Sequence, residues 1–188
     1  MSTALFADHA FAAECTALAD EVQAALHQYA TMDAGDSSYW AYEVDGFGGR
    51  LFMDDANVPS LLSLPYLGAC PAADPLYQRT RQHVLDAGNP WFVSGRAATG
   101  VGSPHSGEGT IWPMALVMRA LTSRDDAEIQ QNLQWLKHTH AGTGFMHEAF
   151  DADDPDKFTR AWFAWANSLF GELIATLANQ RPQLLRSR

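Results

Sequence analysis

A chain of 188 residues, 47% hydrophobic and 18% charged, has the length and composition of one globular domain, residues 1–188. Its net charge of −10 opposes phosphate backbones and anionic bilayers, so neither nucleic acid nor membrane is expected as a partner. No apolar run approaches the ~20 residues of a membrane span, Asp8 and His9 interrupt what would be the apolar part of a signal peptide, and Cys15 and Cys70 are too few for a disulfide framework, so a reducing compartment, the cytoplasm, is expected.

The first predicted element is a helix. Phe11, Cys15, Leu18, Val22, Leu26 and Tyr29 recur at helical spacing and form one apolar stripe. Tyr39 to Val44 is aromatic and β-leaning, and Gly46-Phe47-Gly48-Gly49 separates it from Arg50-Leu51-Phe52-Met53, which reads as a β-hairpin. A short helix is expected after Asn57 and up to Pro65, followed by a third over Asp74–Asp86 that stops at Gly88-Asn89-Pro90. A fourth covers Trp112–Leu121. Ser123 and Asp126 resemble a capping box that opens a fifth, through Ile129, Leu133 and Leu136 to His140. Gly144–Glu148 reads as extended. The last helix, Thr159–Asn179, is apolar on more than one face and is expected to be sandwiched between neighbours. The basic tail after Arg181 is expected to fray. The fold class is thus all-α, with about six helices and one hairpin.

The chemistry-bearing residues gather in loops, where a scaffold usually carries its site. Glu43 and Asp45 on one side of the hairpin, and Asp54, Asp55 and Asn57 on the other, offer carboxylates for proton transfer or sugar hydroxyls; they serve equally well as helix caps. Gly100-Val101-Gly102-Ser103-Pro104-His105 leads to Trp112, a His and an indole that suit a sugar hydroxyl and a sugar face, or an ordinary glycine loop and a core Trp. His147-Glu148 lacks the second His of a metalloprotease helix. A site for metal built on His105, His147 and a carboxylate has no ligand spacing behind it, so no metal and no cofactor are expected. His138 and His140 stand at a helix end, where they complement its dipole. Gly-x-Ser-x-Gly is absent, and neither Cys has a nucleophile context. The residues by themselves point to a helical scaffold suited to neutral, hydroxyl-rich ligands.

The runs YEVDGFG (42–48), LFMDDANVPSLLSLPYLG (51–68), GVGSPH (100–105), IWPM (111–114), LTS (121–123), GTGFMHE (142–148) and TRAWFAWANSLFGEL (159–173) resemble glycoside hydrolase family 125, in order and over nearly the whole chain. The resemblance implies a metal-independent, exo-acting α-1,6-mannosidase of inverting mechanism, an (α/α)6 barrel, and an α-mannoside oligosaccharide as substrate. It makes Glu148 the catalytic base. Asp54, Asp55, Asn57, His105, Trp112 and Arg160 become substrate-binding candidates, with Asp45 weaker. Arg160 has a second reading, in which it pairs with Asp153 or Asp154 and holds the loop carrying Glu148.

One departure is large. The family's barrel has twelve helices, and its general acid lies in a Ser-Asp-Asp-type motif that this chain lacks. The resemblance therefore makes the chain the C-terminal half of a barrel, carrying the base without the acid, to be completed by a separately encoded N-terminal half. The alternative is a non-catalytic glycan-binding or barrel-completing fragment.

Overall fold

The described residues, 8–32 and 37–186, of the computed structural model contain five α-helices and nine short strands. Helices dominate, but four small antiparallel sheets replace the single hairpin expected. The chain divides into two units, Met1–Phe52 and Met53–Arg188.

In the first unit, helix α1 spans His9–Tyr29, with the Asp8 side chain accepting from the Phe11 N–H at its start. The predicted stripe is present but uncovered. No residue of α1 is buried, and Phe11, Leu18, Val22, Leu26 and Tyr29 are all exposed. Strands β1 (Thr31–Met32) and β2 (Tyr39–Trp40) pair with each other, and β3 (Glu43–Val44) pairs with β4 (Arg50–Leu51). The hairpin is therefore real but shorter than its aromatic run, because Tyr39 and Trp40 are taken by β1. The Asp45 carboxylate accepts from the N–H groups of Phe47 and Gly49 and closes the turn.

The second unit contains α2 (Pro75–Val84), β5 (Phe92–Ser94), β6 (Thr99–Val101), β7 (Thr110–Ile111), α3 (Pro113–Leu121), α4 (Asp126–His138), β8 (Ala149–Asp151), β9 (Phe158–Thr159) and α5 (Ala164–Gln180). Its core is α3. Every residue from Pro113 to Met118 is buried, and α4 and α5 pack against it. Ile129 and Leu136 of α4, and Leu169, Leu173 and Leu177 of α5, supply the facing apolar surface. A helix apolar nearly all round belongs at the centre. That place goes to α3 rather than to the last helix, since Trp162 and Trp165 are exposed.

Three helix expectations change. No helix forms between Asn57 and Pro65; the segment is a series of bends and turns. Its N–H groups are claimed by side chains: Asp54 takes those of Leu61 and Leu62, while Ser60 and Ser63 bond each other's backbone. Asp125, not Ser123, caps α4 by accepting from the Ala127 N–H. Ser123 instead donates to Glu128, which also holds Arg81 and Arg119 at 2.7 Å each and so ties α2, α3 and α4 together. Burial works against the Glu128 charge, but Ser123 and the two arginines outweigh it and hold its carboxyl below the ordinary value. The last helix starts at Ala164 rather than Thr159, because Phe158–Thr159 is a strand. The tail does not fray at once: Pro182–Leu185 is a 3-10 turn with Leu184 buried.

Candidate active site

Glu148 is presented by a hairpin. Strand β8 pairs with β9 in the register Ala149↔Thr159 and Phe150↔Phe158. Extending that register by one residue sets Glu148 opposite Arg160. Cross-strand neighbours of opposite charge attract, and the Arg160 Nε lies 3.4 Å from the Glu148 Oε2. The Glu148 side chain keeps only 15% of its exposure, while that of Arg160 keeps 66%. The extended stretch expected over Gly144–Glu148 is displaced: the strand begins at Ala149, and residues 141–145 form a turn with Ala141, Gly142 and Gly144 all at positive φ.

The acidic run that follows is a turn. The Asp151 carboxylate accepts from the N–H groups of Asp153 and Asp154, which lowers its pKa. Asp153 pairs with Arg96, and Asp154 with Lys157. The pairing of Arg160 with Asp153 or Asp154 is thus replaced by its pairing with Glu148 itself.

Aromatic rings connect Glu148 to the glycine loop. The Arg160 guanidinium sits 5.8 Å from the Phe163 ring centre. Phe163 meets Trp112 edge-to-face at 5.9 Å, and Trp112 lies 6.5 Å from the exposed ring of His105. Trp112 is itself buried, and its Nε1 donates to the Ser106 Oγ at 2.7 Å. The candidates Glu148, Arg160, Trp112 and His105 are therefore gathered into one contiguous group, with Trp112 as a buried support rather than an open platform.

Asp54, Asp55 and Asn57 approach the same loop by backbone: the Ala56 N–H donates to the Gly102 carbonyl. The glycine itself is required by a different neighbour, since a Cβ at Gly102 would run into the carbonyl oxygen of Thr110. Asp54 is fully buried; besides Leu61 and Leu62, its segment is locked by Asn89, which bonds both the N–H and the carbonyl of Asp54. Burial raises its carboxyl to about 7 despite the two N–H donors. Asp55 accepts from the backbone and side-chain N–H groups of Asn57. These residues organise their own loop. No contact joins them to Glu148 among those seen for the described residues. Asp45 stays in the hairpin turn of the first unit.

The residues that sequence reasoning missed are the supports. The His147 ring is fully buried, stacks on Phe158 at 3.9 Å, and its Nδ1–H donates to the Ala161 carbonyl at 2.8 Å. Asn167 accepts from the Met146 N–H and donates to the carbonyls of Met146 and Phe163. An Asn in the first turn of a helix is a poor helix former, and that was the available signal. Among the described residues no group of three His, Cys, Asp or Glu side chains is placed to hold a metal, and no helix is long and apolar enough to cross a membrane. A polar cavity of about 540 Å³ lies elsewhere, around Arg81, Arg119 and Glu128, and contains none of the candidates.

A scaffold of helices that supports a carboxylate, an arginine and aromatic rings in loops fits a carbohydrate-active class. The chain belongs to glycoside hydrolase family 125, the metal-independent alpha-mannosidases, whose pattern it matches over residues 1–175. It is 50% identical over 170 residues to the meiotically up-regulated gene 157 protein of Schizosaccharomyces pombe, covering 89% of this chain and 33% of that protein. It is also similar to a Streptococcus pneumoniae metal-independent alpha-mannosidase solved in a non-productive complex with alpha-1,6-mannobiose. That likeness has a TM-score of 0.89 and 42% identity, and covers 96% of this chain and 43% of the other. The chain thus spans about a third of one relative and less than half of the other.

Proposed function

We propose that this chain is the base-carrying half of an exo-acting α-1,6-mannosidase of inverting mechanism. The observation that carries the reading is Glu148, a mostly buried carboxylate held beside Arg160 on a short hairpin, in a family of alpha-mannosidases. An inverting glycosidase uses two carboxyl groups about 6.5–9.5 Å apart, one to protonate the leaving oxygen and one to deprotonate the attacking water. In this reading Glu148 takes the proton from the water. His105, Arg160 and the loop of Asp54, Asp55 and Asn57 contribute to the sugar pocket, with Trp112 behind it. The α-1,6-mannobiose bound by the pneumococcal relative supports the substrate class.

The general acid then comes from a separate N-terminal half that completes an (α/α)6 barrel around this C-terminal half. Two facts support this: the chain covers 43% of the solved relative, and α1 has an apolar face with no buried residue. The same facts favour the second reading, a glycan-binding or barrel-completing fragment with no turnover of its own. Two free cysteines, Cys15 and Cys70, support a cytoplasmic setting.

The test is hydrolysis of α-1,6-mannobiose, read by NMR for the anomer first released. The expected outcome is no turnover by the chain alone. With an N-terminal half added, β-mannose should be released first, and the Glu148→Gln variant should lose about 10²–10⁴-fold in kcat. Turnover by the chain alone would overturn the half-enzyme reading. Release of α-mannose would overturn inversion. Saccharide binding without turnover in either state would establish the second reading.

A further inference from the structure

Arg160 is one of two non-glycine residues at positive φ among the described residues, at 41°. The left-handed region crowds an L side chain, so a residue stays there only when its surroundings over-determine it. Here they do. Three successive residues of the Met146-His147-Glu148 run are bonded to the strap over residues 159–163. The Phe163 N–H donates to the Met146 carbonyl at 3.1 Å. The buried His147 ring donates to the Ala161 carbonyl at 2.8 Å. The Glu148 N–H is shared between the carbonyls of Thr159 and Arg160, at 3.3 and 3.4 Å. Asn167 then bonds Met146 and Phe163 together from α5.

Glycine would take this backbone shape without crowding, yet the position holds an arginine. Its side chain is used: Nε faces the Glu148 Oε2 at 3.4 Å, and the guanidinium lies against the Phe163 ring at 5.8 Å. The ring gives the planar group a second support and so fixes the plane it presents to the carboxylate. With 66% of the Arg160 side chain exposed, this pair contributes little to folding stability. Its effect is on direction, because a carboxylate on a glutamate stem has several rotamers and a base must hold one.

We infer that Arg160 is a positioning residue: the left-handed strap pinned by His147 presents its guanidinium so that the Glu148 carboxylate keeps one orientation. The inference rests on the reading of Glu148 as the base for its importance to turnover, but not for its geometry. The experiment therefore starts with the carboxylate itself. The chain is labelled with carboxyl-13C glutamate, and the Glu148 signal is identified by its loss in the Glu148→Gln variant. In Arg160→Gly the signal moves, free guanidinium at sub-denaturing concentration returns it toward its original position, and the melting temperature does not fall. In Arg160→Lys, which keeps the charge without the planar fork, the signal is only partly restored.

An unmoved signal in Arg160→Gly overturns the inference. So does a shift accompanied by a lower melting temperature that guanidinium does not restore, which would make Arg160 a part of the strap alone. A Lys variant identical to the parent reduces the residue to a bare charge and overturns the orienting role. In the reassembled enzyme, Arg160→Gly lowers kcat by about 10- to 100-fold, beyond any rise in KM from its place in the sugar pocket. If Glu148→Gln leaves turnover intact there while the Arg160→Gly signal still moves, the base reading has failed and the positioning has not. The converse pattern separates the two the other way.

Discussion

Helix α1 carries an apolar stripe and helix α3 is apolar nearly all round, and the two end in opposite environments. In α3, seven of nine residues are buried, and α4 and α5 close around it. In α1, none of 21 is buried, and five large apolar side chains of its stripe stay exposed. Periodicity states which face a helix can bury; it does not supply the surface that buries it. The unit from Met53 to Arg188 provides that surface from its own chain, whereas the described residues of the first unit bury no residue of α1.

Substitutions sharpen this contrast. The largest effect is expected from Leu116→Ala, which empties a fully buried site in α3. It should destabilise the second unit by about 3 kcal/mol in urea unfolding. A loss under about 1 kcal/mol would mean that α3 is not the centre of a packed core.

Asp54→Asn tests the buried polar hub beside that core. The carboxyl is raised from 3.8 to about 7, chiefly by burial. A raised folded pKa means that the folded state holds a proton which the unfolded state releases. Asp54 therefore contributes stability that is fully present below about pH 4 and is lost as the pH rises through about 7. The Asn variant should flatten that part of the stability–pH curve. It should also cost about 1–3 kcal/mol at low pH, because an amide oxygen replaces only one of the two acceptors used by Leu61 and Leu62. Retention of the full pH slope in the variant would assign the slope to another group.

The smallest effect is expected from Leu18→Ser on the exposed face of α1, within about 0.5 kcal/mol for the chain alone. The same substitution should weaken association with an N-terminal half, measured by light scattering of the mixture. A loss for the chain alone as large as that of Leu116→Ala would show that α1 is already covered in solution, and the contrast between the two helices would collapse.

Much of this protein was legible in its sequence. The stripe from Phe11 to Tyr29, the helices expected over Asp74–Asp86 and Trp112–Leu121, and the apolar residues of the last helix, Leu169, Leu173 and Leu177 among them, are local signals, and local signals are what propensity and period encode. The long runs over residues 51–68 and 159–173 pointed to the family for the same reason, since each is contiguous. What the sequence could not give were relations between distant residues. Side chains from Asp54, Ser60 and Ser63 cancelled a predicted helix by taking its N–H groups. The pairing of β8 with β9 removed five residues from the start of α5 and set Glu148 opposite Arg160. Which helix lies at the centre, which Trp is buried, and which acid Arg160 meets all depend on surfaces brought together by folding. The sequence determined most of the helices, the one hairpin and the chemistry available to them; only the tertiary structure decided the other strands and the packing partners, because burial and pairing are properties of two surfaces rather than one.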